Sequence, residues 1–374
     1  LQGWAGELML VLHEPGYEFR NQFDFEFCQS GEQRVLLDAW HAAATDAMSL
    51  LPLQHVVVWA APVAAAWLDA VPAGVRLTAV RVYQEDMCAE TGSAVAAAGR
   101  KHLHTFKLFA PAAAHLPESV GRLDALSVLD LSGCKSVTCL PEAVGQLASL
   151  AVLNLHWAYS LTCLPASIGQ LAALQALDLA SCWCLTGLPE SIGQLTSLVQ
   201  LDLGACRALT HLPESLGQLV SLSTLNMARC VRLTRLPEAL GRLTALTMLQ
   251  LTMCADLTGL PDSLGQLTSL RALDLAWCAA LASLPATIGH LTELARLGVE
   301  YCRAMPAPES EAWATGILDA NKQLAMFRQR LLVLAVIGRR PRWRRTHRLP
   351  PELWLLVHAA LWQSQPERSR EFEQ

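Results

Sequence analysis

Leu126-Ser127-Val128-Leu129-Asp130-Leu131-Ser132-Gly133-Cys134, followed five residues on by Leu140-Pro141-Glu142-Ala143-Val144-Gly145-Gln146-Leu147, is the stretch on which the fold turns. Its Leu-Pro pair recurs at Leu116, Leu140, Leu164, Leu188, Leu212, Leu236, Leu260 and Leu284, always 24 residues apart. A glycine follows each pair at one fixed offset, from Gly121 to Gly289. A strict period of this length means a stack of like supersecondary units, not a set of separate globular domains. Within the unit, Leu129 and Leu131 alternate with outward residues, the pattern of a short strand with one buried face. Stacked units place such strands side by side in a parallel sheet, about 4.8 Å apart. Leu140, Val144 and Leu147 fill the interior from the return half of the unit. The proline after Leu140 suits the first position of a short helical turn, where its missing N–H has no partner to lose. The acid that usually follows (Glu118, Glu142, Glu190, Glu214, Glu238, Asp262) then faces the positive end of that turn.

The segment Leu126 to Cys134 and its equivalents match LxxLxLxxN/C, and from Leu116 to Met305 the chain resembles the leucine-rich-repeat family. The fuller pattern, LxxLPxxIGxLxxL followed by LDLxxC, is similar to the repeats of plant intracellular immune receptors. The resemblance implies an α/β repeat solenoid, with a curved parallel sheet on its concave face and a helical C-terminal cap. It also implies a scaffold or receptor that binds a macromolecular partner on that face. No phosphate loop of the GxxxxGKS or GxxxxGKT type is present, so the resemblance stops at the repeats.

Twelve cysteines would suggest a disulfide framework in a small secreted domain. Their placement argues otherwise, because Cys134, Cys182, Cys206, Cys230, Cys254, Cys278 and Cys302 share one repeat position, with Ala158 as the gap. The family places Asn or Cys there, buried at the bend after the strand, where it bonds loop backbone. A linear stack of one residue type does not converge as a tetrahedral metal site requires. The column is therefore expected to be buried, unbridged and metal-free, and reduced thiols point to the cytoplasm or the nucleus. Cys254-Ala255-Asp256 matches the CxD motif of bacterial ubiquitin ligases joined to such repeats. Here, though, Cys254 belongs to the repeat column, and the match is accidental. No GxSxG, HExxH or CxxC pattern occurs, so neither an enzyme nor a cofactor is expected.

Hydrophobic residues make up 52% of the chain and charged residues 16%, which supplies ample core and disfavours disorder. The net charge of −5 gives no reason to expect nucleic acid. Neither Leu331 to Ile337 nor His55 to Val71, which Pro62 interrupts, reaches the ~18–20 apolar residues of a membrane span.

The pattern fades toward both ends. In residues 53–115, Leu103, Phe106 and Leu108 keep the strand spacing, as do Leu77, Val80 and Val82, and Leu53, Val56 and Val58. Two readings fit: degenerate repeats reaching back to residue 53, or a small α/β unit with strands His55 to Trp59 and Val75 to Tyr83. Residues 1–52 read as a mixed cap with a helix from Gln33 to Leu50, since an end unit exposes half a core. Downstream of the regular repeats (116–305), Pro306 and Pro308 break the pattern, and a capping helix is expected within 306–338. Residues 339–374 open with six arginines in ten residues, Arg339 to Arg348, read as a solvated linker or as a phosphate-binding or nuclear-address run. The following Leu349-Pro350-Pro351-Glu352-Leu353-Trp354-Leu355-Leu356-Val357 resembles the opening helix of an F-box. That likeness implies docking on a cullin-type ubiquitin-ligase adaptor through Leu353, Leu356 and Val357, but an F-box runs on for further helices and this sequence stops at Gln374. A second capping helix is the plainer alternative.

Recognition is expected on the strand face. Its middle column holds Asp130, Asn154, Asp178, Asp202, Asn226, Gln250 and Asp274, with His156, Trp157, Arg229, Met253, Trp277, Glu300 and Tyr301 beside it. Trp and Tyr among polar groups make up the composition of a protein-binding hot spot. Trp157 and Trp277 stand out because the repeat requires neither. The expected function is a protein-interaction scaffold, with a ubiquitin-ligase substrate adaptor as the alternative.

Overall fold

The computed structural model describes residues 103–304 throughout and, ahead of them, the backbone of four strands. The chain divides into two compact units, Leu1–Ala325 and Met326–Gln374, and every described residue belongs to the first. The expected capping helix, the arginine run and the F-box-like segment with Leu353, Leu356 and Val357 lie outside the described residues.

Among the described residues, thirteen strands form one sheet, and every pair for which a register is seen is parallel. They are β1 Leu8–His13, β2 Arg34–Asp38, β3 Leu53–Trp59, β4 Ala79–Tyr83, β5 Thr105–Phe109, β6 Val128–Asp130 and β7 Val152–Asn154. The rest are β8 Ala176–Asp178, β9 Gln200–Asp202, β10 Thr224–Asn226, β11 Met248–Gln250, β12 Ala272–Asp274 and β13 Arg296–Gly298. Their order is sequential from β13 down to β3, after which β1 and then β2 complete the edge. From β6 onward each strand pairs with the residue 24 positions away, Val128 with Val152 and Leu129 with Leu153. β3 pairs with β4 in the same 24-residue step, His55 with Ala79, whereas β4 and β5 are offset further, Ala79 with Thr105.

The N-terminal reading needs one correction. Arg34–Asp38 is a strand, where the helix from Gln33 was expected. Val35-Leu36-Leu37 fits either period, and pairing with β1, from Met9 with Arg34 to His13 with Asp38, decides it.

In each regular coil the middle strand residue and the apolar residue two places on are buried, fully so at Leu129 and Leu131. The leucines of the return half join them in one continuous core from Leu103 to Cys302. Each fully buried leucine contributes about 1.5–3 kcal/mol. The return half is a five-residue 3-10 turn, Glu142–Gln146 in one coil, closed by the Val144 N–H on the Pro141 carbonyl and the Leu147 N–H on the Val144 carbonyl, both 3.1 Å.

Two details differ from expectation. Pro141 is not the first residue of the turn but its extended cap, at φ −68° and ψ 151°, and the other Leu-Pro prolines behave alike. Its rigid ring holds the chain extended until the turn begins. The acids also reach further than the end of their own turn. Glu142 accepts the Ser167 N–H at 3.0 Å and Glu214 the Ala239 N–H at 3.0 Å, each at the second position of the turn in the next coil. One carboxylate thus satisfies an orphan donor of its neighbour and ties two coils together.

The glycine column serves the same contact. A Cβ on Gly193 would lie 2.4 Å from the Ser215 carbonyl oxygen, and one on Gly217 as close to that of Ala239. These glycines stand at negative φ, so close approach of the next coil, not backbone freedom, requires them.

Candidate recognition surface

The surface is built where the chain leaves each strand. The Asp/Asn column ends the strand and turns its side chain back on its own backbone. Asp130 accepts the Ser132 N–H at 3.0 Å, Asn154 the His156 N–H at 2.9 Å, and Asp178, Asp202, Asn226 and Asp274 repeat the bond. This is the Asx turn that such residues favour. The column therefore shapes the bend, and its residues are only part-exposed. Lys107 pairs with Asp130 at 2.9 Å, and the Asn226 amide bridges both Asp202 oxygens at 3.0 and 3.1 Å. Burial raises the Asp178 carboxyl above its ordinary value, and the charges of Asp202 and Asp130 add to this against the Ala180 N–H and His156.

Three residues beyond the Asp or Asn that starts the turn, the backbone swings to the left-handed region. Trp157, Ser181, Ala205, Arg229, Met253, Trp277 and Tyr301 all have φ between 58° and 64°, and Gly133 fills the same position at 80°. Their N–H groups extend the ladder to the next coil, Trp157 to the Ala180 carbonyl at 3.0 Å and Trp277 to that of Glu300 at 2.8 Å. For a residue other than glycine this conformation costs about 1–2 kcal/mol. The next residue is then directed inward: each column thiol donates to a carbonyl of the preceding coil, Cys206 to Leu179 at 3.2 Å and Cys254 to Met227 at 3.2 Å. Burial pushes the Cys134 thiol up to about 11 and those of Cys182 and Cys278 up to about 12, far from the reactive thiolate form.

The left-handed residues carry their side chains outward. Trp157 is 50% exposed, Trp277 43% and Tyr301 64%, and Arg229 and Met253 between them are exposed as well. Trp277 stacks on Tyr301 with ring centroids 4.2 Å apart, and His156 leans on Trp157 at 4.6 Å. His156 also lies 3.8 Å from Asp178, and Glu300 is exposed beside Tyr301. The sequence-selected residues thus fall into two aromatic posts, His156–Trp157 and Trp277–Tyr301, joined by the part-buried Asp/Asn column. Five coil steps separate Trp157 from Trp277, about 24 Å at the ~4.8 Å strand spacing.

Sequence reasoning missed a second column. Tyr159 and Trp183 stack at 4.1 Å, Arg207 lies 4.6 Å from the Trp183 ring and Lys135 5.9 Å from that of Tyr159. This ladder, two stacked rings with a cation at each end, crosses four coils immediately after the thiol column. Its signal was legible, four large residues at 24-residue spacing, had the position after each cysteine been read as outward. The first strand positions also face out, where Gln200, Met248 and Arg296 are exposed.

A family model described as "Leucine-rich repeat region" matches residues 68–184, 102–258 and 177–280, more than half of the chain in all. The chain belongs to the leucine-rich-repeat family. Among solved structures, this repeat chain is similar to the leucine-rich repeat domain of the type III effector XopL, at 25% identity, 69% of this chain, 71% of that chain and a TM-score of 0.42. It is similar to a leucine-rich-repeat protein of Leptospira interrogans at 22% identity, 72% of this chain, 88% of that chain and a TM-score of 0.35. The Arabidopsis receptor kinase HAESA, solved with the peptide hormone IDA and the co-receptor SERK1, matches at 20% identity, 78% of this chain, 52% of that chain and a TM-score of 0.47. No curated protein matches the repeat chain. Among the described residues no helix is long and apolar enough to cross a membrane.

Proposed function

We propose that this leucine-rich-repeat chain is a non-catalytic scaffold that binds a protein partner across its strand face, seated on the Trp157 and Trp277–Tyr301 posts. The observation that carries the reading is the occupancy of the left-handed column. Only Gly133 is the residue that conformation favours; Trp157, Met253, Trp277 and Tyr301 bear its cost with large apolar side chains in solvent. Strain held in exposed aromatic residues is a mark of sites retained for contact. Asp178, Asp202, Asn226 and Asp274, with Asp130 and Asn154 beyond them, supply a polar floor, and His156, Arg229, Met253 and Glu300 its rim. A segment of about seven extended residues, at ~3.3 Å each, spans the two posts. The adaptor alternative rests on the sequence of Leu353, Leu356 and Val357 alone, and binding of a purified cullin adaptor to the intact chain is its test.

The test of the scaffold reading is selection of a displayed random-peptide library on the intact chain. Enriched peptides are expected to lose at least tenfold in affinity for Trp157→Gly and Trp277→Gly, about 1.4 kcal/mol or more, and to bind Val220→Thr unchanged. Val220 is exposed on the opposite, return half of its coil. Peptides that bind all three variants alike would overturn the assignment.

A further inference from the structure

Three described cysteines stand outside the buried column, Cys139, Cys163 and Cys184, and all three are exposed. Two of them share a repeat position. Thr138-Cys139-Leu140-Pro141 and Thr162-Cys163-Leu164-Pro165 are one tetrapeptide repeated 24 residues apart. The backbone holds the copies in register. His115 pairs with Cys139 across one coil boundary, and across the next the Thr162 N–H and hydroxyl both donate to the Thr138 carbonyl, at 3.0 and 3.1 Å. Parallel neighbours in register stand about 4.8 Å apart, inside the ~4.4–6.8 Å Cα separation that disulfides span. The side chains repeat too, with a threonine hydroxyl 4.0 Å from the Cys139 sulfur and another 3.8 Å from that of Cys163. The two thiols therefore occupy the same position of successive coils, on one side of the array. Cys184 has Ser160 and Ala208 as its column neighbours and no such partner.

We propose that Cys139 and Cys163 are a vicinal dithiol that closes reversibly to a disulfide between adjacent coils, oxidised by a low-molecular-weight disulfide such as glutathione disulfide. One thiol gives up its proton, and its thiolate attacks a sulfur of the oxidant, forming a mixed disulfide and releasing one glutathione thiolate. The second thiolate then attacks the protein sulfur of that mixed disulfide and releases the other glutathione. Two protein thiols are oxidised, one small disulfide is reduced to two thiols, and the two protons end on the glutathiones. The bond ties the coil that bears Trp157 to the coil before it. The buried thiols take no part, since each is sealed in the core and bonded to a backbone carbonyl.

The experiment equilibrates the native full chain with oxidised and reduced glutathione, quenches it with acid and maps the cysteines by mass spectrometry without reduction. A Cys139–Cys163 cross-link is expected, reversed by reduced glutathione, with the column thiols free. Cys139→Ser should leave Cys163 as the reduced thiol or the mixed disulfide, never cross-linked. Phenylarsine oxide should give native chain a bidentate adduct at these two sulfurs, with loss of one water, and Cys163→Ser should abolish it. Two free thiols at every glutathione ratio, or cross-links that run instead to Cys184 or a column cysteine, would overturn the proposal. So would a cross-link that forms only in denaturant.

Discussion

Trp277 joins the two requirements that meet in this protein, a backbone turn and an exposed surface. Its φ of 64° suits glycine, and its ring is stacked on Tyr301. Replacing it separates the two terms. Trp277→Ala keeps the left-handed cost and loses the stack, about 0.5–1.5 kcal/mol. Trp277→Gly loses the stack but relieves the backbone by about 1 kcal/mol. In urea denaturation the glycine variant should therefore be the more stable of the two by about 1 kcal/mol, and close to the parent. Leu273→Ala, in the core beneath, should cost about 2–5 kcal/mol. Equal stability of the glycine and alanine variants would show that the backbone is not strained there. Sequence alone marked Trp157 and Trp277 because nothing in the repeat demands them. It gave no sign of the left-handed backbone, because conformation at that bend follows from the Asx turn before it and the neighbouring coil's carbonyl after it.

The element that sets how closely coils pack is the 3-10 turn, with its acid and its glycine. Glycine there is a steric demand of the next coil. Gly193→Ala places a methyl 2.4 Å from the Ser215 carbonyl oxygen, so the two turns must part. A loss of about 1–3 kcal/mol is expected in thermal or chemical unfolding. Gly259→Ala, whose added carbon meets nothing within 4 Å, should stay within ~0.5 kcal/mol of the parent. Similar losses in both would move the cause from coil contact to helix and loop propensity. The glycine column was plain in the sequence, as was the acid column, yet their partners were not. Glu142 reads as a charge at the start of its own turn, and only the stack reveals that the Ser167 N–H of the next coil is what it holds. In the same way the strand at Arg34–Asp38 was hidden, because its apolar run is too short to carry a period and β1 alone makes it a strand.

Across the whole array, each described coil contacts its neighbours in one repeated way, so a coil can be removed without changing the contacts of the rest. Deleting residues 196–219 joins like positions of adjacent repeats and should leave a folded, cooperative chain with the sheet register intact. It also shortens the span between Trp157 and Trp277 by about 4.8 Å. Peptides selected to bridge both posts should weaken at least tenfold on the shortened chain, while circular dichroism per residue stays unchanged. Undiminished binding would mean that one post acts alone.

By itself the sequence determined the period, the strand alternation, the buried leucines and the inward thiols. All of these are side-chain patterns that repeat within 24 residues and need no knowledge of what lies beside them. Tertiary structure decided the rest, because its hydrogen bonds and ring contacts join residues 24 to 27 positions apart. Stacking set Lys135, Tyr159, Trp183 and Arg207 in one ladder, laid Trp277 on Tyr301, and stood Cys139 beside Cys163. In a stack of coils the neighbour of each residue is its own equivalent one turn away, and which atoms then meet depends on backbone angles that no single repeat displays.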